Sequence, residues 1–513
     1  MGNRVRGIVA GVSTGAVAAG VGQLVAGFTI PEASPVIAVG QASIDLTPTP
    51  VKDWAITVFG SHDKTALLSG VIVVLFIAAA VIGTLAVRWG ARFGYLGLGV
   101  FGAIGLAAAL TRPTTSPSYV VPTLLAAGAG ALTLRRLLRL ARPAAPDESR
   151  LVFGSQTDAP IRREFLVTSG VAVAGAAVAT LVGRELATRT NVSAARTAIR
   201  FPRPAVTTPP LPAGVQLNVP GISPFVTPDN NFYRVDTALL LPQVDPSNWQ
   251  LRIHGMVRQE MTLSFDELLR RPLIEDWITL CCVSNPVGGP YIGNAKWLGA
   301  SLASLLRQAG PLAGADQLLC TSTDGFTSGT PLPVVMDGRD ALVAVAMNGT
   351  ALPVEHGFPA RLVVPGLYGY VSACKWVTDI EVGTWASNSA YWVQRGWSQQ
   401  APIKTESRID VPTGANTLSA GTVTIAGVAW AQHKGIDAVE VRVDSGAWHV
   451  ATLASVPGID TWRQWEYRWD ATPGTHLIEA RATDATGYTQ TAVQAQVVPN
   501  GASGYPQVQV TVR

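Results

Sequence analysis

Residues 279–289 read Thr279-Leu280-Cys281-Cys282-Val283-Ser284-Asn285-Pro286-Val287-Gly288-Gly289, and Lys296-Trp297-Leu298-Gly299 follows shortly after. Upstream, Trp277-Ile278-Thr279-Leu280 is apolar and β-prone, so a strand delivers two adjacent cysteines into a loop of Asn, Pro and Gly. Ser301-Leu302-Ala303-Ser304-Leu305-Leu306 predicts the next helix. A thiol on a rigid loop suits soft donation to a transition metal or nucleophilic attack. A cysteine taken singly is more often a small buried hydrophobe. A second stretch shifts the weight: His356-Gly357-Phe358-Pro359-Ala360-Arg361-Leu362-Val363-Val364-Pro365-Gly366-Leu367-Tyr368-Gly369-Tyr370, then Lys375-Trp376. It gathers a histidine, an arginine and a lysine around Pro and Gly residues that let backbone approach a bound group closely.

The 513 residues suffice for two or three domains, and 48% hydrophobic against 14% charged content is too apolar for an ordinary soluble chain. A net charge of +4, with arginines at helix ends, carries no nucleic-acid signature. Four cysteines (281, 282, 320 and 374) are too few for a disulfide scaffold. Adjacent Cys281 and Cys282 are poor partners for each other, and a Cys320–Cys374 bridge stays open.

The apolar excess lies early. Val5 to Ile30, Ala66 to Val87, Phe93 to Leu110, Tyr119 to Leu134 and Phe165 to Val182 each approach the ~20 residues that cross a bilayer. Arg4 and Arg6, then Arg88 and Arg92, then Arg135, Arg136, Arg139, Arg142, Arg150, Arg162 and Arg163 fall on one side. The other side carries mainly Lys52, Lys64 and Arg112. This bias makes the N-terminus cytoplasmic, and five spans put everything after about Gly183 outside. A multi-pass membrane protein in contact with lipid, with its remaining domains extracytoplasmic, is the expectation. Arg162-Arg163-Glu164-Phe165-Leu166 before the fifth run looks like an internal twin-arginine export signal, or a plain topology anchor.

The expected organisation is a transmembrane α-helical region over 1–187, a Pro-rich linker over 188–217, an α+β domain over 218–400 and a β-sandwich over 401–513. In the α+β part, Trp249 to Gly255 alternates as a strand, and Ser264-Phe265-Asp266-Glu267 forms a capping box. Beyond Ile403 strict alternation recurs at 423–427, 439–444, 465–469 and 476–482, which predicts an immunoglobulin-like sandwich.

From about Asn218 to the C-terminus, these motifs together resemble the sulfite oxidase family of molybdopterin-dependent oxidoreductases, including its C-terminal dimerisation domain. The resemblance implies a molybdenum-molybdopterin cofactor with Cys282, first in Cys282-Val283-Ser284-Asn285, as the metal ligand. It implies cofactor contacts from Asn231, Arg234, Asp324, His356, Arg361 and Lys375. It places Tyr391 and Arg395 beside Arg234 near the substrate, and it implies oxygen-atom transfer on a small molecule and a homodimer.

Two departures bear on the substrate. That family follows its Cys-x-x-Asn with arginines, whereas Pro286-Val287-Gly288-Gly289 carries no cation. Asp236 stands where the family has histidine, and its charge opposes anion binding. A neutral S-oxide or N-oxide is therefore as reasonable a substrate as sulfite. No Cys-x-x-Cys-His occurs, and the six histidines (62, 254, 356, 433, 449 and 476) avoid the apolar runs. No haem is therefore expected, and electrons pass to or from a separate carrier or a quinone. The rival class is a non-catalytic cell-surface recognition module, which accounts for anchor, linker and sandwich but gives Cys282, His356, Arg361 and Lys375 no task.

Overall fold

The computed structural model describes residues 2–48, 51, 54, 58–59, 63–112, 117–141, 158–188, 192–414 and 417–513; Lys52, His62, Arg142 and Arg150, used above, lie outside these. Two compact units result: Met1–Asn191 with Thr237–Leu241, and Val192–Asp236 with Pro242–Arg513.

The first unit holds α1 (Asn3–Phe28), α2 (Pro35–Leu46), α3 (Asp63–Trp89), α4 (Ala91–Leu110), α5 (Val121–Ala141) and α6 (Asp158–Thr188). Among the described residues five helices, all but α2, are long and apolar enough to cross a membrane. The short helix α2 escaped the sequence reading because its 12 residues fall below the span length. Glycines set the packing. A Cβ on Gly11 would lie 1.9 Å from the Ala79 carbonyl oxygen, and one on Gly83 would lie 2.2 Å from that of Gly7. Helices α1 and α3 therefore touch backbone to backbone, as small residues permit between helices in lipid. Gly27 and Gly183 do the same for α1 and α6, at 2.4 Å. Val74, Leu132 and Leu181 point outward. Lys64 Nζ donates to the Ala238 carbonyl at 2.8 Å and Gln41 Nε2 to that of Thr237 at 3.1 Å, which holds 237–241 in this unit.

The second unit is sheet-rich. Its first part contains β1 (Gln250–Gly255), β2 (Met261–Ser264), β3 (Leu273–Cys281), β4 (Ile292–Ser301), β5 (Gln317–Ser322), β6 (Thr327–Pro331), β7 (Leu342–Met347), β8 (Thr350–Ala351), β9 (Arg361–Val363) and β10 (Val377–Gly383). They form one sheet in the order β2-β1-β10-β5-β6 and another in the order β3-β4-β7-β8, with β9 on β7. The capping box forms: Glu267 N–H donates to Ser264 Oγ at 3.3 Å, and Ser264 N–H donates back to Glu267 Oε2 at 2.8 Å. Ser301 caps the helix at Leu302–Ala309, which Gly310 ends in the left-handed region. Part of the Pro-rich stretch is laid on this framework, where Ala205 N–H donates to the Leu273 carbonyl at 2.8 Å.

Beyond residue 405, β11 (Glu406–Val411), β12 (Thr417–Leu418), β13 (Gly421–Trp430), β14 (Ile436–Val443), β15 (His449–Val450), β16 (Thr452–Leu453), β17 (Arg463–Ala471), β18 (Gly474–Asp484) and β19 (Gln507–Val512) form two sheets, β11-β13-β17-β16 and β12-β19-β18-β14-β15. Ile425, Trp465, Val441 and Ile478 share a core between them. The sandwich is fastened to β3 at Thr279. Thr279 Oγ1 donates to Asn294 Oδ1 across the strand pair at 2.9 Å and accepts the Trp462 N–H at 2.8 Å. Thr279 N–H donates to the Asp460 carbonyl at 2.9 Å, and Gln432 Nε2 donates to the Thr279 carbonyl at 3.0 Å. This anchors β3 two residues before the cysteine pair.

Candidate active site

Cys281 ends β3, and its buried Sγ donates to the Cys282 carbonyl at 3.5 Å. That spends Cys281 on the turn itself. The turn closes with Asn285 N–H donating to the Cys282 carbonyl at 3.0 Å, while Asn285 Oδ1 accepts the Tyr291 N–H at 2.8 Å. The two thiols have different surroundings: Glu406 and Arg408 act on Cys281, Ser284 and Lys375 on Cys282. Burial pushes the Cys282 thiol up, while hydrogen bonds with Ser284 and the Lys375 charge pull it down. All four cysteines are free thiols, Cys320 and Cys374 included.

Lys375 is the cation that acts on Cys282, and Arg361 and Arg234 act in turn on Lys375. Lys375 Nζ donates to Asp236 Oδ2 at 3.1 Å and to the Glu355 carbonyl at 2.9 Å. Burial lowers this amine to about 8, and Asp236 opposes the fall. Arg234 pairs with the same carboxylate, Nε to Oδ2 at 2.8 Å and Nη2 to Oδ1 at 3.3 Å. Arg361 is buried, and burial lowers its guanidinium to about 10. Its three nitrogens donate to the carbonyls of Leu362, His356 and Ala373 at 3.1–3.3 Å. No carboxylate pairs with it among the described residues, and two of its five N–H groups remain.

His356 is 2% exposed, and its Nε2 lies 3.0 Å from the Asp229 carbonyl. A carbonyl only accepts, so Nε2 carries the proton and Nδ1 is a buried acceptor without a partner among the described residues. Burial, with Arg361 and Lys375 adding to it, brings the ring to about 4 and keeps it neutral at physiological pH. The Asp229–Asn231 turn beneath it is held by Asn348, whose Nδ2 donates to Asp229 Oδ1 at 2.7 Å; Asn231 itself is exposed. Phe232 meets His356 edge-on at 5.5 Å and stacks on Tyr233 at 5.3 Å. Gly293 makes room, since a Cβ there would meet the Phe232 ring at 2.8 Å.

The structure therefore gathers Cys282, Arg361, Lys375, Asp324, Arg234 and His356. Burial raises Asp324, the Asp236 charge adds to that rise and the Lys375 charge opposes it. Tyr391 and Arg395 form a separate pair, with the guanidinium 3.5 Å above the ring. Tyr391 touches the rest through Phe326, on the turn carrying Asp324, at 5.7 Å. The resemblance implied cofactor contact from the region around Phe232-Tyr233-Arg234 but gave Tyr233 no role of its own; its hydroxyl is pushed well up by burial and by the fields of Cys282 and Cys281. The sequence reading took Asp236 only as a departure. The hairpin dipeptide Asn348-Gly349 was the available signal for Asn348.

These groups fit a molybdopterin cofactor. One buried thiol suits a metal whose other donors come from an organic ligand, since no cluster of three or more His, Cys, Asp or Glu among the described residues could hold one alone. The acid-free Arg361 guanidinium suits a phosphate, and the open Nδ1 of His356 suits an N–H of a pterin ring.

A family model described as "Oxidoreductase molybdopterin binding domain" matches residues 238–392. The sulfite oxidase of Gallus gallus is 31% identical over 311 residues, covering 51% of this chain and 67% of that protein. Mitochondrial sulfite oxidase of Homo sapiens is 31% identical over 272 residues, covering 45% of this chain and 49% of that one, so the chain spans about half its length. The sulfane dehydrogenase SoxCD of Paracoccus pantotrophus shares the fold, with a TM-score of 0.50 and 24% identity over 56% of this chain and 81% of that chain. The chain belongs to the sulfite oxidase family of molybdopterin-dependent oxidoreductases.

Proposed function

We propose that this is a membrane-anchored oxidoreductase whose catalytic domain faces away from the cytoplasm and moves an oxygen atom on a small neutral S-oxide or N-oxide. The bound cofactor supplies the two-electron oxygen-atom chemistry. The observation that carries the substrate reading is Asp236, which occupies both Lys375 and Arg234. An anion entering here must compete with that carboxylate for two cations, and 286–289 adds none. Cys282 is the metal ligand, Arg361, His356, Lys375, Asp324 and Asn231 hold the cofactor, and Arg234, Tyr391 and Arg395 border the substrate. Residues 1–187 are the membrane region, 188–217 the linker and 218–400 the cofactor domain. The sandwich over 401–513 is an immunoglobulin-like dimerisation module, and a separate carrier or a quinone exchanges the electrons.

The test is molybdenum counted per chain in wild type and Cys282→Ser, followed by turnover of sulfite, dimethyl sulfoxide, methionine sulfoxide and trimethylamine N-oxide. About one molybdenum per wild-type chain, a changed paramagnetic signature in the variant and turnover of a neutral oxide support the reading. Wild-type preference for sulfite overturns the substrate, and absence of molybdenum from a cofactor-competent host overturns the enzyme.

A further inference from the structure

Helices α1 to α5 line a cavity of ≈ 640 Å³, open on one side and within the range of sites that hold a small organic ligand. Its wall is almost wholly Gly, Ala, Val, Leu and Ile with Phe101, and no Asp, Glu, Lys or Arg among the described residues lines it. Two of its hydroxyls are spent on their own helices: Thr14 Oγ1 donates to the Ala10 carbonyl and Ser43 Oγ to that of Val39, each at 2.8 Å. Thr123 differs. It lines the cavity, is 3% exposed, and its Oγ1 has no partner among the described residues. A buried hydroxyl left unpaired is costly, and an entering acceptor removes that cost.

We propose that this cavity binds an isoprenoid quinone, one ring carbonyl accepting the Thr123 hydroxyl and the hydrocarbon chain lying along the small apolar wall. A phosphate headgroup would meet no cation here, and an acyl chain alone would leave Thr123 unpaired. A neutral lipid with a carbonyl satisfies both conditions. The inference rests on the membrane-anchored reading and gives its lipid-soluble electron partner a chemical class and a site.

Two substitutions isolate the site. Thr123→Val removes the donor at nearly constant volume. Gly102→Leu fills the cavity, because a Cβ at Gly102 meets only Ala127 Cβ, at 3.8 Å. The full chain in phosphatidylcholine nanodiscs is titrated calorimetrically with decylubiquinone against empty nanodiscs, and lipids extracted from the purified chain are analysed for quinone. Saturable binding of one quinone per wild-type chain, weakened tenfold or more in Thr123→Val and lost in Gly102→Leu, is the expected result. No binding beyond that of empty discs, equal affinity in both variants, or extraction of phospholipid alone overturns it. Molybdenum counted in the same preparation separates the two readings. Saturable quinone binding without molybdenum sinks the oxidoreductase and leaves the cavity site standing, and molybdenum without quinone binding does the reverse.

Discussion

Asp236 holds both Arg234 and Lys375 with one carboxylate. Behind the cysteine pair a second acid has a different effect. Glu406 is 3% exposed, its Oε1 has no partner among the described residues, and burial pushes it up to about 8, with Lys404 pulling the other way. Its folded value lies above the unfolded one of 4.5. The stability it lends is therefore complete below pH 4.5 and is lost as pH rises through about 8. Across that window the loss runs at about 1.4 kcal/mol per pH unit. Glu406→Gln keeps the shape without the charge. Its urea midpoint should match wild type near pH 4 and exceed it increasingly up to pH 8.5; parallel curves would refute the assignment.

At the scale of elements, β3 is aimed by the sandwich. Thr279→Val deprives the buried Trp462 N–H and Asn294 Oδ1 of partners, at about 2–3 kcal/mol. A lowered melting temperature together with reduced molybdenum retention is the expected outcome, whereas a drop in stability alone would mean that the staple does not position the cysteine loop. In the helical unit, α1 and α3 meet at Gly83 with no space for a side chain. Gly83→Leu should reduce the amount of chain recovered from membranes several-fold, while Gly70→Leu, where a Cβ meets nothing within 4 Å, should not. Equal recovery of both would remove backbone contact as the packing principle.

At the scale of the whole molecule, five helices suit a bilayer by length and composition, and the arginine bias gives the direction of the proposal. Protease added outside sealed spheroplasts should digest the residues after 188; their protection until the membrane is broken reverses the orientation. Much was legible in the chain by itself. Apolar runs near span length, the Ser264–Glu267 box and the alternation after Ile403 are local patterns, with periods set by backbone geometry. Cys282, His356, Arg361 and Lys375 were legible as ordered motifs. The pairing of Asp236 with Lys375 across 139 residues was not, nor was the Thr279 staple to Trp462 across 183, nor the open Nδ1 of His356. Spacing and residue type determine which groups a segment carries. Which charges are neutralised and which donors and acceptors stay unpaired depends on segments distant in sequence, so folding alone decided those.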